Sequence, residues 1–209
     1  NGPKKLRINK KKFIYLISPK IIKKSFYADL IKILKVNKIG FFQLRLKGVS
    51  YKTRFLIGKK IKKICITYKT KFLINDDVIL AKKLNADGCH LGQKDMQLMK
   101  ARKILKKKII GITCHNSIKL AKIAIEGKAD YIALGAFNIS KTKRTKYKAS
   151  LNLLKKIRKL TKTPIVVIGG INSINYKKLL LNKANFLAIS GYIWNNKKLK
   201  PIEAIRNLK

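Results

Sequence analysis

Acidic side chains are what this chain most conspicuously lacks: eight Asp and Glu stand against 52 Lys and Arg, a formal net charge of +44 over 209 residues. That shortage excludes an acidic surface, and it means that each carboxylate present has to be explained. Cysteine is scarce too. Three thiols without paired spacing give no disulfide framework and point to a reducing compartment. No apolar run approaches the roughly 18 residues of a membrane span. The basic stretch 1–12 has no apolar segment of the kind a secretion signal carries. The expectation is a cytoplasmic protein with no membrane partner.

Several catalytic patterns are also missing. Neither GxGxxG nor GxxxxGK[ST] follows an apolar run, so the commonest nucleotide fingerprints are absent. No Ser-His-Asp spacing or Cys-based pattern supports nucleophilic catalysis. The two histidines, His90 and His115, each follow a cysteine. Neighbours on a strand point to opposite faces, so neither Cys-His pair converges easily on one zinc ion, and core or supporting roles fit better. The positive charge should attract polyanions. Lysine heavily outnumbers arginine, however, and is spread along the whole chain, whereas planar recognition of phosphates and bases prefers arginine. A solvated basic surface without specific nucleic-acid binding is the expectation, with a non-enzymatic, RNA-associated basic protein as an alternative.

What is present is a rhythm. Short β-branched apolar runs recur at 13–18, 41–45, 71–74, 88–91, 109–113, 131–135, 164–170 and 186–190, each short enough for a buried parallel strand. Stretches with helical spacing lie between them. In 116–127, Ile118, Ala121 and Ile125 share a face, with Asn116 placed to cap the start and Gly127 to end it. The segment 150–162 repeats the pattern. Such alternation predicts α/β architecture, and eight strands favour a single (β/α)8 TIM barrel over an open doubly wound sheet. One domain over 1–209 is expected, with a basic N-terminal extension at about 1–12.

In a barrel, functional groups gather where strands end in βα loops. Alternation puts Gln43, Arg45 and Lys47 on one side of the second strand, an amide and two cations suited to an anionic ligand such as pyrophosphate; a solvated strand end is the competing reading. Asn75 and Asp76 follow the third strand and Asp95 follows the fourth. Two carboxylates from neighbouring loops could hold one Mg²⁺, against the alternative that Asp76 caps a helix. Asp77 reads better as a cap. Thr113 offers a hydroxyl after the fifth strand. The loop 135–146 is a lid over anions or a flexible basic connection. Gly169-Gly170 and Ser190-Gly191 stand where barrels commonly bind phosphate.

Taken in order, QLRLK at 43–47, IND at 74–76, ADGCHLGQKD at 86–95, IGITCH at 110–115, ADYIALGAFNISKTK at 129–143, VVIGGI at 166–171 and AIS at 188–190 resemble the thiamine-phosphate synthase family over nearly the whole chain. The resemblance implies a TIM barrel transferase of thiamine biosynthesis. It would join hydroxymethylpyrimidine diphosphate to hydroxyethylthiazole phosphate, with Mg²⁺ as cofactor. It also implies roles. Gln43, Arg45, Lys47 and Asn75 would hold the pyrimidine diphosphate, Asp76 and Asp95 would bind Mg²⁺, and Thr113 would contact the pyrimidine. Ser140, Thr142, Gly170, Ile189 and Ser190 would surround the thiazole phosphate, with Lys143 reaching toward the phosphates. Arg45, Lys47 and Lys143 would be catalytic, stabilising the departing pyrophosphate. The family's Pro-Thr-x-Thr-Lys-x-Asp run differs here, with Ile139, Ser140 and Thr145 replacing its proline, first threonine and aspartate. A thiazole tautomerase, a related barrel, is the nearest alternative; both aspartates together with QxRxK favour the synthase.

Overall fold

The computed structural model describes residues 5–138 and 145–209. Eight parallel strands close into a barrel in sequence order, β8 pairing back onto β1. The strands are β1 (Ile14–Ile17), β2 (Ile39–Leu44), β3 (Lys71–Asn75), β4 (Gly88–Leu91), β5 (Ile109–Thr113), β6 (Tyr131–Gly135), β7 (Ile165–Ile168) and β8 (Phe186–Ile189). Between them run α1 (Phe26–Lys35), α2 (Tyr51–Thr67), α3 (Val78–Lys83), α4 (Leu98–Leu105), α5 (Ile118–Glu126), α6 (Leu151–Leu160) and α7 (Tyr176–Leu181). A short α8 (Gly191–Trp194) and the closing α9 (Pro201–Arg206) follow β8. The TIM barrel expected from the eight apolar runs is the fold observed.

Strand alternation sorts the core into two layers. Ile14, Leu16, Phe42, Leu44, Phe72, Ile74, Ile132 and Leu134 turn outward against the helices. Tyr15, Phe41, Leu73, Tyr131, Ala133, Val166, Phe186 and Ala188 fill the barrel interior, a packed core rather than a pore. The aromatic rings inside need room. Gly111 supplies it, since a Cβ there would lie 1.8 Å from the Tyr131 ring. Parity decides the chemistry as well: Gln43, Asn75, His90 and Thr113 share the inward phase of their strands near the C-terminal ends.

At the opposite end of the barrel, polar residues just before three strands bind the start of the preceding one. Asp87 accepts from the Phe72 N–H at 2.8 Å, Asp130 from Ile110 N–H at 2.8 Å, and the Asn185 carbonyl from Ile165 N–H at 2.8 Å. Arg102 pairs with Asp130 at 2.6 Å. Two of the scarce carboxylates are therefore structural.

One expectation about a helix start is corrected and another holds. Ser117, not Asn116, caps α5, its hydroxyl accepting from Leu120 N–H, while the Asn116 amide donates to the Lys148 carbonyl. At α3 the cap is Asp77, which accepts from Leu80 N–H at 2.9 Å and pairs with Arg54 at 3.2 Å. Asp76 precedes the helix in a left-handed conformation, φ 66°, so its carboxylate is not used for capping. Among the described residues, no helix is long and apolar enough to cross a membrane.

Candidate active site

The C-terminal mouth collects charge from adjacent loops. Beyond β2 the chain keeps its alternation: Leu44 and Leu46 stay buried, and Arg45 and Lys47 are exposed. Ser18, which the sequence gives little reason to single out, holds this turn. Its hydroxyl accepts from Arg45 N–H at 2.8 Å and lies 3.2 Å from the Arg45 carbonyl. The Ser190 hydroxyl donates to the Ser18 carbonyl at 3.2 Å, so the ends of β1, β2 and β8 are tied together.

Lys47 Nζ lies 2.5 Å from Asp76 Oδ2, and the Asp76 and Asp95 carboxyls are within hydrogen-bonding reach of each other. Asp95 Oδ2 also accepts from Gly92 N–H at 2.7 Å. Partial burial opposes charge on Asp76, but the Lys47 ammonium and the hydrogen bond from Asp95 hold its carboxyl below the usual range. Burial, together with the facing Asp76 carboxylate, pushes Asp95 above it. Two like groups held this close favour one shared proton or a cation. The donor set is all hard oxygen, which fits Mg²⁺ better than a softer metal. Among the described residues, no group of three His, Cys, Asp or Glu side chains forms a metal site, so the remaining ligands would be water or substrate oxygens.

Beneath this charged rim lies a neutral polar layer. Gln43 is buried, and its amide Nε2 donates to the Tyr15 hydroxyl at 2.7 Å. The Tyr15 and Tyr131 hydroxyls are 2.7 Å apart. His90 Nδ1 lies 2.7 Å from the Tyr131 hydroxyl, and Nε2 lies 2.7 Å from Thr113 Oγ1. Burial lowers the His90 pKa to about 4, with Asp76 opposing and Arg45 reinforcing the shift, so the ring is neutral near pH 7. His90 supports other groups here, as its position beside Cys89 suggests. Tyr15 and Tyr131 were not legible as site residues; the available signal was a polar aromatic at an inward strand position.

Asn75 ends β3 beside Asp76. Gly169 and Gly170 follow β7 with φ of 119° and 56°, and the Gly169 carbonyl accepts from both nitrogens of Asn138 at 3.1 and 3.2 Å. A Cβ on Gly170 would meet the Asn138 carbonyl at 2.3 Å. Ile189 ends β8 with its side chain buried in the helical layer. Ser140, Thr142 and Lys143 lie outside the described residues.

Residues 14–193 match the family model described as "Thiamine monophosphate synthase". The thiamine-phosphate synthase of Pelagibacter ubique (strain HTCC1062) is 69% identical over 207 residues, covering 99% of this chain and 100% of that relative. That of Erythrobacter litoralis (strain HTCC2594) is 36% identical over 196 residues, 91% of this chain and 92% of that one. Among solved structures, a thiamine phosphate pyrophosphorylase from Pyrococcus furiosus superposes with a TM-score of 0.83 at 26% identity, covering 95% of this chain and 94% of that chain.

Proposed function

Because this chain belongs to the thiamine monophosphate synthase family, we propose that it joins hydroxymethylpyrimidine diphosphate to hydroxyethylthiazole phosphate, giving thiamine phosphate and pyrophosphate. The observation that carries the reading is the cluster of Lys47, Asp76 and Asp95 at one mouth, above the neutral polar layer of Gln43 and Thr113. A charged rim suits a diphosphate, and an uncharged, directional floor suits a flat heterocycle.

Asp76 and Asp95 would hold Mg²⁺, which when bound adds positive charge beside the diphosphate oxygens. Arg45 and Lys47, both exposed at the rim, bind the same oxygens. Negative charge grows on the leaving group as its C–O bond breaks, and these cations stabilise that charge more in the transition state than in the ground state. The electron pair leaves with pyrophosphate. The thiazole nitrogen then forms the new bond to the pyrimidine methylene carbon. No side-chain nucleophile is required. Gly170, Ser190 and the backbone at Ile189 would hold the thiazole phosphate, with Ser140, Thr142 and Lys143 completing the clamp. Asn75 and Gln43 would orient the pyrimidine diphosphate. A cytoplasmic setting suits free thiols and soluble substrates.

The test is direct. The protein incubated with both substrates and Mg²⁺ should yield thiamine phosphate and pyrophosphate in equal amounts. Isomerisation of a thiazole phosphate without coupling would overturn the reading.

A further inference from the structure

Five side chains from five strands form one hydrogen-bonded line across the barrel: Gln43, Tyr15, Tyr131, His90 and Thr113, each link 2.7 Å long. Each hydroxyl has one hydrogen to give, and neutral imidazole has one N–H. If every buried hydrogen is to find an acceptor within the line, it has two polarities, and the orientation of the Gln43 amide selects one. Gln43 presents Nε2, a donor only, to the Tyr15 oxygen. With that orientation the buried Tyr15 hydrogen finds its acceptor in Tyr131, and the Tyr131 hydrogen finds its acceptor in His90 Nδ1. That leaves the imidazole proton on Nε2, donating to Thr113 Oγ1. The threonine hydroxyl becomes an acceptor from below, with its own hydrogen free for the mouth.

We propose that this line is a polarity lock. It holds His90 as the Nε2–H tautomer and thereby makes Thr113 a hydrogen donor to substrate, with Tyr15, Tyr131 and His90 as positioning residues. The inference rests on the functional reading above for the ligand and on geometry for the lock. The two ends are complementary to an aminopyrimidine. Its ring nitrogens can only accept, which suits a donating Thr113. Gln43 retains one N–H and its carbonyl, which can meet a ring nitrogen and the adjacent amine. The opposite polarity would aim a threonine lone pair at the ring.

The lock is well insulated. Tyr15 and Tyr131 are fully buried, and burial raises both phenols so that each keeps its hydrogen. Gly111 leaves space for the Tyr131 ring, and Tyr131 lies within 15° of parallel to His90 at 5.7 Å. Neighbouring links in such a chain polarise one another, so one break should be felt at the far end.

The chain has only two histidines, so ¹⁵N-histidine spectra of the intact protein near pH 7.5 report on His90 directly, with His115→Gln giving the assignment. The expected pattern is a pyridine-type Nδ1 and a pyrrole-type, protonated Nε2 at His90. Tyr131→Phe removes one hydroxyl at constant ring size. It should shift His90 toward a mixture of tautomers and raise KM for the pyrimidine diphosphate about 2–10-fold, the loss expected for one hydrogen bond. KM for the thiazole phosphate should stay unchanged. Tyr15→Phe, one link further away, should do the same more weakly, which covers the case that Tyr131→Phe does not fold. A proton on Nδ1 in the wild-type protein, or a tautomer indifferent to both variants, overturns the lock. The spectra need no substrate, so they stand or fall independently of the proposed reaction.

Discussion

Five of the eight carboxylates have surroundings that explain their placement. Asp77 caps α3 and pairs with Arg54, and Asp87 and Asp130 fasten the starts of β3 and β5. Asp76 and Asp95 instead face each other at the mouth, with Lys47 on Asp76 and Gly92 N–H on Asp95 as their other partners. Carboxylates arranged in this way reduce stability in favour of binding a cation. Asp95→Asn should therefore lower turnover steeply in limiting Mg²⁺ while leaving the melting temperature unchanged or higher. Undiminished turnover, or clear destabilisation, would contradict this. His90 gives a second test. Its folded pKa of about 4 lies below the unfolded value of roughly 6.5. Between these values the unfolded chain binds the extra proton, so stability is fully present above about 6.5 and is lost as pH falls toward 4. At pH 5 the loss relative to pH 7.5 is about 2 kcal/mol from this residue. Urea unfolding at both pH values, compared with His90→Gln, isolates the contribution, since the variant should lose less stability on acidification by that amount.

Among the elements, the barrel separates its two ends by chemistry. The N-terminal end carries Asp87, Asp130 and Asn185, whose side chains hold the N–H groups that start neighbouring strands, and the C-terminal end gathers the charged and polar side chains of the mouth. Asp130→Ala removes the acceptor of Ile110 N–H and the partner of Arg102 in a setting where the carboxylate is only 8% exposed. It should cost about 1–3 kcal/mol of stability with KM for both substrates unchanged. A change in KM without loss of stability would place Asp130 in the wrong half of this division. Asn116 and Ser117 show the limit of reading caps from sequence. Both residue types suit the position, and Asn116 is taken up by the Lys148 carbonyl on the neighbouring loop, a contact that exists only once β5 and β6 lie side by side.

Across the whole molecule the net charge of +44 demands separation of general attraction from specific recognition. Attraction to polyanions follows from charge alone and weakens as salt screens it. Titrations with unrelated duplexes should show equal affinities that fall together with rising salt. A preference worth several kcal/mol at physiological salt would require a nucleic-acid function that the mouth geometry does not explain. The same excess charge bears on the substrates, because a broadly positive surface raises the local concentration of phosphorylated ligands near the mouth.

The sequence by itself determined the eight-fold alternation, because strand and helix periodicities are local properties of side-chain placement. Loop-end residues were legible for the same reason: Arg45, Lys47, Asp76, Asp95 and Thr113 all stand where an apolar run gives way. Asp77 was legible as the α3 cap, but the left-handed φ that takes Asp76 out of capping was not. Nor was the line from Gln43 to Thr113. Tyr15 and Tyr131 are 116 residues apart in the chain and read as ordinary strand aromatics. Only closure of the barrel, which turns inward-facing positions of five strands toward one another, lets their hydroxyls meet. Once buried there, those polar groups have no water to turn to and must satisfy one another.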